Sequence, residues 1–200
     1  MPTKKLLNKN EKVYGAWDNF VTKGNLERSL LKKFVADSWV RSKEYEIDPF
    51  AEKVNIELSD DEIEERYEEF MPLLKTAKPF MKSVYKIIGN EGLLVRLTDK
   101  DGYVLECIGD KDLVLKYGNL NMYKGCNVKE EVIGTNAIGT ALYTGKPIQI
   151  IGAEHFCKQY HGWSSSACPI KNDKEQTMGI LSITGPLEKV HPHTLGMVVA

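Results

Sequence analysis

Two short polar segments constrain this chain most: Asp99-Lys-Asp-Gly102 and Asn172-Asp-Lys-Glu175, each joining two runs of strand character. Leu93–Thr98 and Tyr103–Ile108 flank the first, Ser164–Lys171 and Met178–Thr184 the second. A turn this short connects only antiparallel neighbours, because a parallel pair needs a crossover of roughly a dozen residues. A doubly wound parallel sheet is therefore excluded. With Pro147–Ile151 as a further short strand, the expectation is an antiparallel sheet of about five or six strands within residues 92–185.

Upstream the apolar period is helical. Asn25 is placed to cap a helix carrying Leu26, Leu30 and Phe34, with Leu31, Val35 and Trp39 beside them, and Asp48-Pro49 ends that region. Ser59-Asp-Asp-Glu62 has the pattern of a capping box, opening a helix whose face continues through Ile63, Tyr67, Phe70, Leu74 and Ala77. Pro72 or Pro79 should kink or split it, leaving Phe80–Ile88 as a second segment that exits at Gly89. Glu131–Tyr143 reads as one later helix, with Gly134, Ala137, Ile138, Ala141 and Leu142 near one side, and a last helix starts at His191 and is cut off by the chain end. Helices followed by hairpin-joined strands make an α+β fold. The expected division is a helical region, 1–80, and a sheet domain, 81–200, with helices from both chain ends on one face of the sheet. The stripe from Leu26 to Trp39 and the final helix carry apolar surface expected to form a homodimer interface.

With 27 basic against 28 acidic residues in 200, the chain has no polyanion-binding footprint. The acidic run Asp60–Glu69 reads as a solvated helix face. Four irregularly spaced cysteines do not form a disulfide framework, no apolar run is long enough to span a bilayer, and no signal peptide follows Met1. The expectation is a cytoplasmic protein with no membrane partner.

Most of the chemistry lies between Glu131 and Ile170. Gly134-Thr-Asn-Ala-Ile-Gly139-Thr140 lacks the Lys-Ser/Thr of a phosphate loop, and Gly145-Lys146 runs into Pro147, so these glycines are assigned to helix packing. His155, Cys157, His161 and Cys168 are all possible zinc or iron ligands, but paired ligand spacing is missing. A thiolate nucleophile at Cys157 or Cys168 would need a histidine within reach and a site for the oxyanion, neither of which is visible. Cys107 and Cys126 are read as small buried hydrophobes.

What remains is a pocket. Phe156, Tyr160 and Trp163 supply apolar walls with polar tips, and His155, His161 and Ser164–Ser166 supply donors and acceptors. The same aromatics also suit plain core closure. Strand alternation separates Ser164, Ser166, Cys168 and Ile170 from Ser165, Ala167 and Pro169, and one set faces the pocket. The candidate ligand-binding set is His155, Phe156, Tyr160, His161 and Trp163, with Ser166 or Cys168 on the adjoining strand. No residue is assigned to catalysis or to a metal. Gly152-Ala153 and Gly162 would let the intervening segment wrap as a lid, and a ligand holding that lid would bias the helix near His191.

GTNAIGTAL at 134–142, GKPIQI at 145–150, GAEHFC at 152–157, HGW at 161–163, SACPI at 166–170, GILSITGP at 179–186 and HPHT at 191–194 stand in the order found in one family. Together they resemble the GAF sensory domain of sigma-54-dependent transcriptional activators of the acetoin-catabolism regulator (AcoR-like) type. SWVRS at 38–42 with Asp48-Pro49 resembles the element upstream of that domain. The resemblance implies a GAF-like antiparallel sheet flanked by helices, with an N-terminal helical extension. It implies regulation by a small organic effector, acetoin-like or otherwise, and neither enzyme activity nor a cofactor. It further implies control of a AAA+ ATPase domain absent from this chain, which would act on sigma-54 RNA polymerase, with DNA bound through a separate C-terminal domain. Two alternatives stand beside it: a metal or redox sensor built on the His/Cys cluster 155–168, and a small enzyme on the same scaffold.

Overall fold

The computed structural model describes residues 4–52, 57–88, 92–109, 123–189 and 193–199. Five strands form one antiparallel sheet: β1 (Leu94–Asp99), β2 (Val104–Ile108), β3 (Ile148–Ile151), β4 (Trp163–Lys171) and β5 (Thr177–Pro186), in the order β2-β1-β5-β4-β3. Both expected hairpins are present. The side chain of Asp99 organises the first turn, its Oδ1 accepting from the amides of Asp101 and Tyr103 at 2.8 and 2.9 Å. Asn172 does the same for the second, accepting from Lys174 and Gln176 at 3.0 and 2.9 Å.

Seven α-helices surround the sheet among the described residues: α1 (Lys4–Lys23), α2 (Lys33–Glu44), α3 (Asp60–Glu69), α4 (Met71–Ile88), α5 (Glu130–Ile133), α6 (Ala137–Thr144) and α7 (Thr194–Val199). The capping box at α3 is complete, with Glu62 N donating to Ser59 Oγ and Ser59 N donating to the Glu62 carboxylate. Replacing Ser59 with Ala should lower stability by about 1 kcal/mol, read as a fall of about 2–4 °C in Tm. An unchanged Tm would show that the α3 terminus is not limiting.

Several helix boundaries differ from the sequence reading. Asn25 caps nothing: a 3-10 turn at Arg28–Leu30 interrupts the expected helix, and α2 starts after Lys32. The acidic helix splits at Phe70, and Pro79 is carried inside α4 rather than ending it. Helix α4 thus runs without a break through the expected boundary at residue 80. The single helix expected over 131–143 is two, because Gly134 takes φ +67° and Asn136 starts α6 afresh, its Oδ1 accepting from Gly139 N at 2.9 Å. Gly139 is required there, since a Cβ would lie 2.6 Å from the Glu130 amide nitrogen. The expected exit at Gly89 and helix start at His191 lie outside the described residues.

Helices cover both faces of the sheet, not one. Alternation sends Val95, Leu97, Leu181 and Ile183 to one side, where they pack with Leu74, Met81 and Val84 of α4 and Val198 of α7. Leu94, Ala167, Ile180, Ile148 and Ile150 go to the other, with Ala137, Ile138 and Ala141 of α6 and with Trp17 and Trp39 of α1 and α2. The N-terminal helices therefore share a core with the sheet. Val35 and Trp39 are fully buried within one chain, and Val198 is buried with Leu195 and Met197 packed beside it. The apolar surface cited for a dimer is largely consumed inside the subunit, which removes that argument for one.

Candidate functional site

Between β3 and β4 the chain crosses the α6 side of the sheet through two 3-10 turns, Gly152–Glu154 and Lys158–Tyr160. The N-terminal helices hold this lid by its backbone. Trp17 Nε1 donates to the Phe156 carbonyl at 2.7 Å, Trp39 Nε1 donates to the Glu154 carbonyl at 2.8 Å, and Ala153 N donates to Asn10 Oδ1 at 2.9 Å. Gly152 sits at φ +55°, and a Cβ there would come within 2.1 Å of Asn10 Oδ1. Lys32 closes the edge with an ion pair to Glu154 at 2.9 Å.

Beneath the lid is a small cavity lined by Arg96, Val128, Ile133, Asn136, Ala137, His155, Tyr160, Trp163 and Ser165. Its volume is about 20 Å³, room for a water or two. Anything larger requires the lid to lift. The floor is a polar row on β1, β5 and β4: Arg96 Nη2 donates to Thr184 Oγ1 at 2.7 Å, which lies 2.9 Å from Ser165 Oγ. On the lid side, His155 Nδ1 is 2.9 Å from the Gly152 carbonyl. A carbonyl only accepts, so Nδ1 carries the proton and Nε2 is left as an acceptor. Burial, reinforced by His161 and Arg96, lowers the His155 pKa to about 3 and keeps the ring neutral. The Tyr160 hydroxyl is buried with no hydrogen-bond partner among the described residues, and burial raises its pKa.

Of the seven expected ligand-binding residues, His155, Tyr160 and Trp163 line this cavity together. The other four do not. Phe156 packs in the core against Gly134. His161 turns toward α1, its ring 4.6 Å from that of Trp17 and its Nε2 donating to the His155 carbonyl at 3.2 Å. Ser166 and Cys168 pair with Ile183 and Leu181, whose side chains belong to the far face, so alternation carries both away from the cavity. Ser165 is the β4 residue that lines it. Sequence reading missed Arg96 altogether, although an arginine inside the run Leu93–Leu97 has no obvious solvent-facing excuse.

The same geometry bears on the two alternatives. Among the described residues no group of three or more His, Cys, Asp or Glu side chains is placed to hold a metal ion; Cys168 lies on the opposite side of the sheet from His155 and His161. Cys157 donates from Sγ to the Ile133 carbonyl at 3.3 Å, and burial pushes its pKa up to about 12, which favours the neutral thiol.

The family model for the MimR N-terminal domain matches residues 11–199. The chain belongs to the MimR N-terminal domain family. Among relatives of this MimR-family chain, the acetoin dehydrogenase operon transcriptional activator AcoR of Bacillus subtilis is 34% identical over 184 residues, 92% of this chain and 30% of that protein. The propane 2-monooxygenase operon transcriptional activator MimR of Mycolicibacterium goodii is 29% identical, covering 84% of this chain and 28% of that one. The chain thus spans about three-tenths of the length of these relatives. The crystal structure of the E. coli DhaR(N)-DhaL complex matches with a TM-score of 0.80 at 18% identity, covering 84% of this chain and 57% of that one, and this likeness carries the GAF-like fold. The MimR-family domain is a regulatory domain of the transcriptional-activator kind. No helix among the described residues is long and apolar enough to cross a membrane.

Proposed function

We propose that this domain senses a small organic effector in the cavity under the lid and passes the signal through α1 and α2. One observation carries the reading: Arg96 and Tyr160, each with a buried polar atom that has no partner among the described residues, line the same small cavity as His155. Buried polar atoms are normally satisfied, and exceptions of this kind mark a ligand or water site. The lid backbone bonds directly to Trp17, Trp39 and Asn10 of the N-terminal helices, and also to the Thr135 carbonyl through Phe156 N at 3.2 Å, to the Pro49 carbonyl through Lys158 N at 2.8 Å, and to Leu187 N through the Gly162 carbonyl at 2.7 Å. Helix α7, once expected to receive the signal, packs on the opposite face. An effector that prefers the lifted lid would shift the packing of α1 and α2 by its differential affinity for the two arrangements. In a full-length cytoplasmic activator this shift would control an ATPase domain working on sigma-54 RNA polymerase at DNA held by a separate domain. The domain itself would catalyse nothing.

A thermal-shift screen of small ketones, diols, hydroxy acids and aromatics tests this. A compound at a hundred times its Kd should add about 2.7 kcal/mol. Trp163→Ala and Tyr160→Phe should each remove at least half of that gain while leaving the protein folded. If no compound shifts the wild type, or if both variants retain the full shift, the cavity is not the sensing site.

A further inference from the structure

Arg96 is the most unusual residue in this fold. It stands on a strand flanked on both sides in the sheet, is 5% exposed, and among the described residues has no carboxylate partner. Of the five N–H donors of its guanidinium, those on Nη2 reach Thr184, while Nε is buried without an acceptor. The other buried charges are treated differently. Glu130 is met by Arg41, Asp99 by Arg66, and Glu106 by Lys78 and Lys124. A buried cation with no counter-charge is costly to keep, and this one opens onto a cavity.

Two further polar residues line the same cavity. The Tyr160 hydroxyl is unpaired among the described residues, and His155, donating from Nδ1 to Gly152, has Nε2 as its acceptor nitrogen. An acceptor imidazole calls for a ligand N–H or O–H, whereas a guanidinium calls for an anionic oxygen. Resting on the effector-site reading above, we propose that the cavity takes a small 2-hydroxy acid, its carboxylate on Arg96 and its hydroxyl donating to His155 Nε2. Tyr160 donates to the second carboxylate oxygen. The closed cavity holds no more than a water or two, so the acid enters with the lid lifted. Burial depresses the Arg96 pKa but leaves a guanidinium protonated at neutral pH, so the charge is there to be met.

The test uses the intact chain, calorimetry and thermal shift, with lactate and glycolate set against lactamide and propane-1,2-diol. Lactate at about a hundred times its Kd should raise Tm by roughly 5–10 °C, and lactamide at the same concentration should bind at least tenfold more weakly. Lactate should also bind at least threefold more tightly than propionate, which lacks the hydroxyl; equal affinity would overturn the contact to His155. Arg96→Met should abolish lactate binding and raise the Tm of the unliganded protein by about 2 °C or more, because an unpaired buried charge gives way to an apolar chain of similar length. If Arg96→Met does not fold, the lactate-to-lactamide ratio of the wild type decides. Neutral diols or ketones binding as well as their acid counterparts would overturn the carboxylate assignment and leave the effector site standing. Failure of every charged and neutral compound would bring down both.

Discussion

Glu130→Ala should destabilise the domain by about 3–5 kcal/mol, the cost of removing one partner from a buried charge network. The Glu130 carboxylate is buried and accepts from Ser38 Oγ at 2.5 Å, Thr140 Oγ1 at 2.6 Å, and Arg41 through Nε at 2.7 Å and Nη2 at 3.0 Å. Ser42 extends the same cluster, its Oγ accepting from Thr135 N at 2.9 Å. Alanine would strand the Arg41 guanidinium and leave two buried hydroxyls short of an acceptor. Urea unfolding followed by tryptophan fluorescence should show the midpoint falling at unchanged m. Glu130→Gln, which keeps the shape without the charge, should fall between. A loss under about 1 kcal/mol for Glu130→Ala would mean that solvent replaces the carboxylate and the network is not a buried lock.

Acidification should cost nearly as much. An unfolded imidazole takes up its proton near pH 6.5, whereas burial holds His155 neutral down to about 3 and His161 down to about 4. Between those limits the unfolded chain binds more protons than the fold, so stability rises with pH and is lost as pH falls below about 6.5. His155 accounts for a loss on the order of 3 kcal/mol by pH 4, and His161 adds to it. Carboxylates held low by their partners, such as Glu106 beside Lys78 and Lys124, contribute in the same direction. His155→Asn separates the terms, since its amide can still donate to the Gly152 carbonyl without titrating. Urea midpoints measured from pH 7 to 4 should show a shallower slope for the variant; identical slopes would mean that His155 takes its proton inside the fold.

How much of this was legible in the sequence depended on whether the physics was local. The hairpin turns and the Ser59 capping box are local chemistry, and all three formed as read. The SWVRS element shows the opposite case. Its residues looked like ordinary helix, yet Ser38 and Arg41 reach Glu130, Ser42 reaches Thr135, and Trp39 reaches the lid. These partners lie some ninety or more positions away, and no spacing along the helix could reveal them. Arg96 was invisible for a related reason, because an arginine in an apolar run is silent about which neighbour fails to neutralise it. Alternation divided the β4 residues correctly into two sets, but choosing the set needed the pairing of Ser165 with Thr184. His161 misled because it lies one residue from the cavity-lining Tyr160 yet points to α1.

The strand order has a consequence for how such a chain is made. Strand β5, last in sequence, lies between β1 and β4 and pairs with both. On a ribosome adding roughly 5–20 residues per second, everything through β4 emerges as two separate hairpins, β1-β2 and β3-β4. Each leaves one long edge waiting for the same missing strand. The sheet, the cavity floor that includes Thr184, and the burial of Arg96 all come into being together when that segment slots in. Until then the open edges are templates for mispairing with other nascent chains, and a single segment, β5, closes both of them at once.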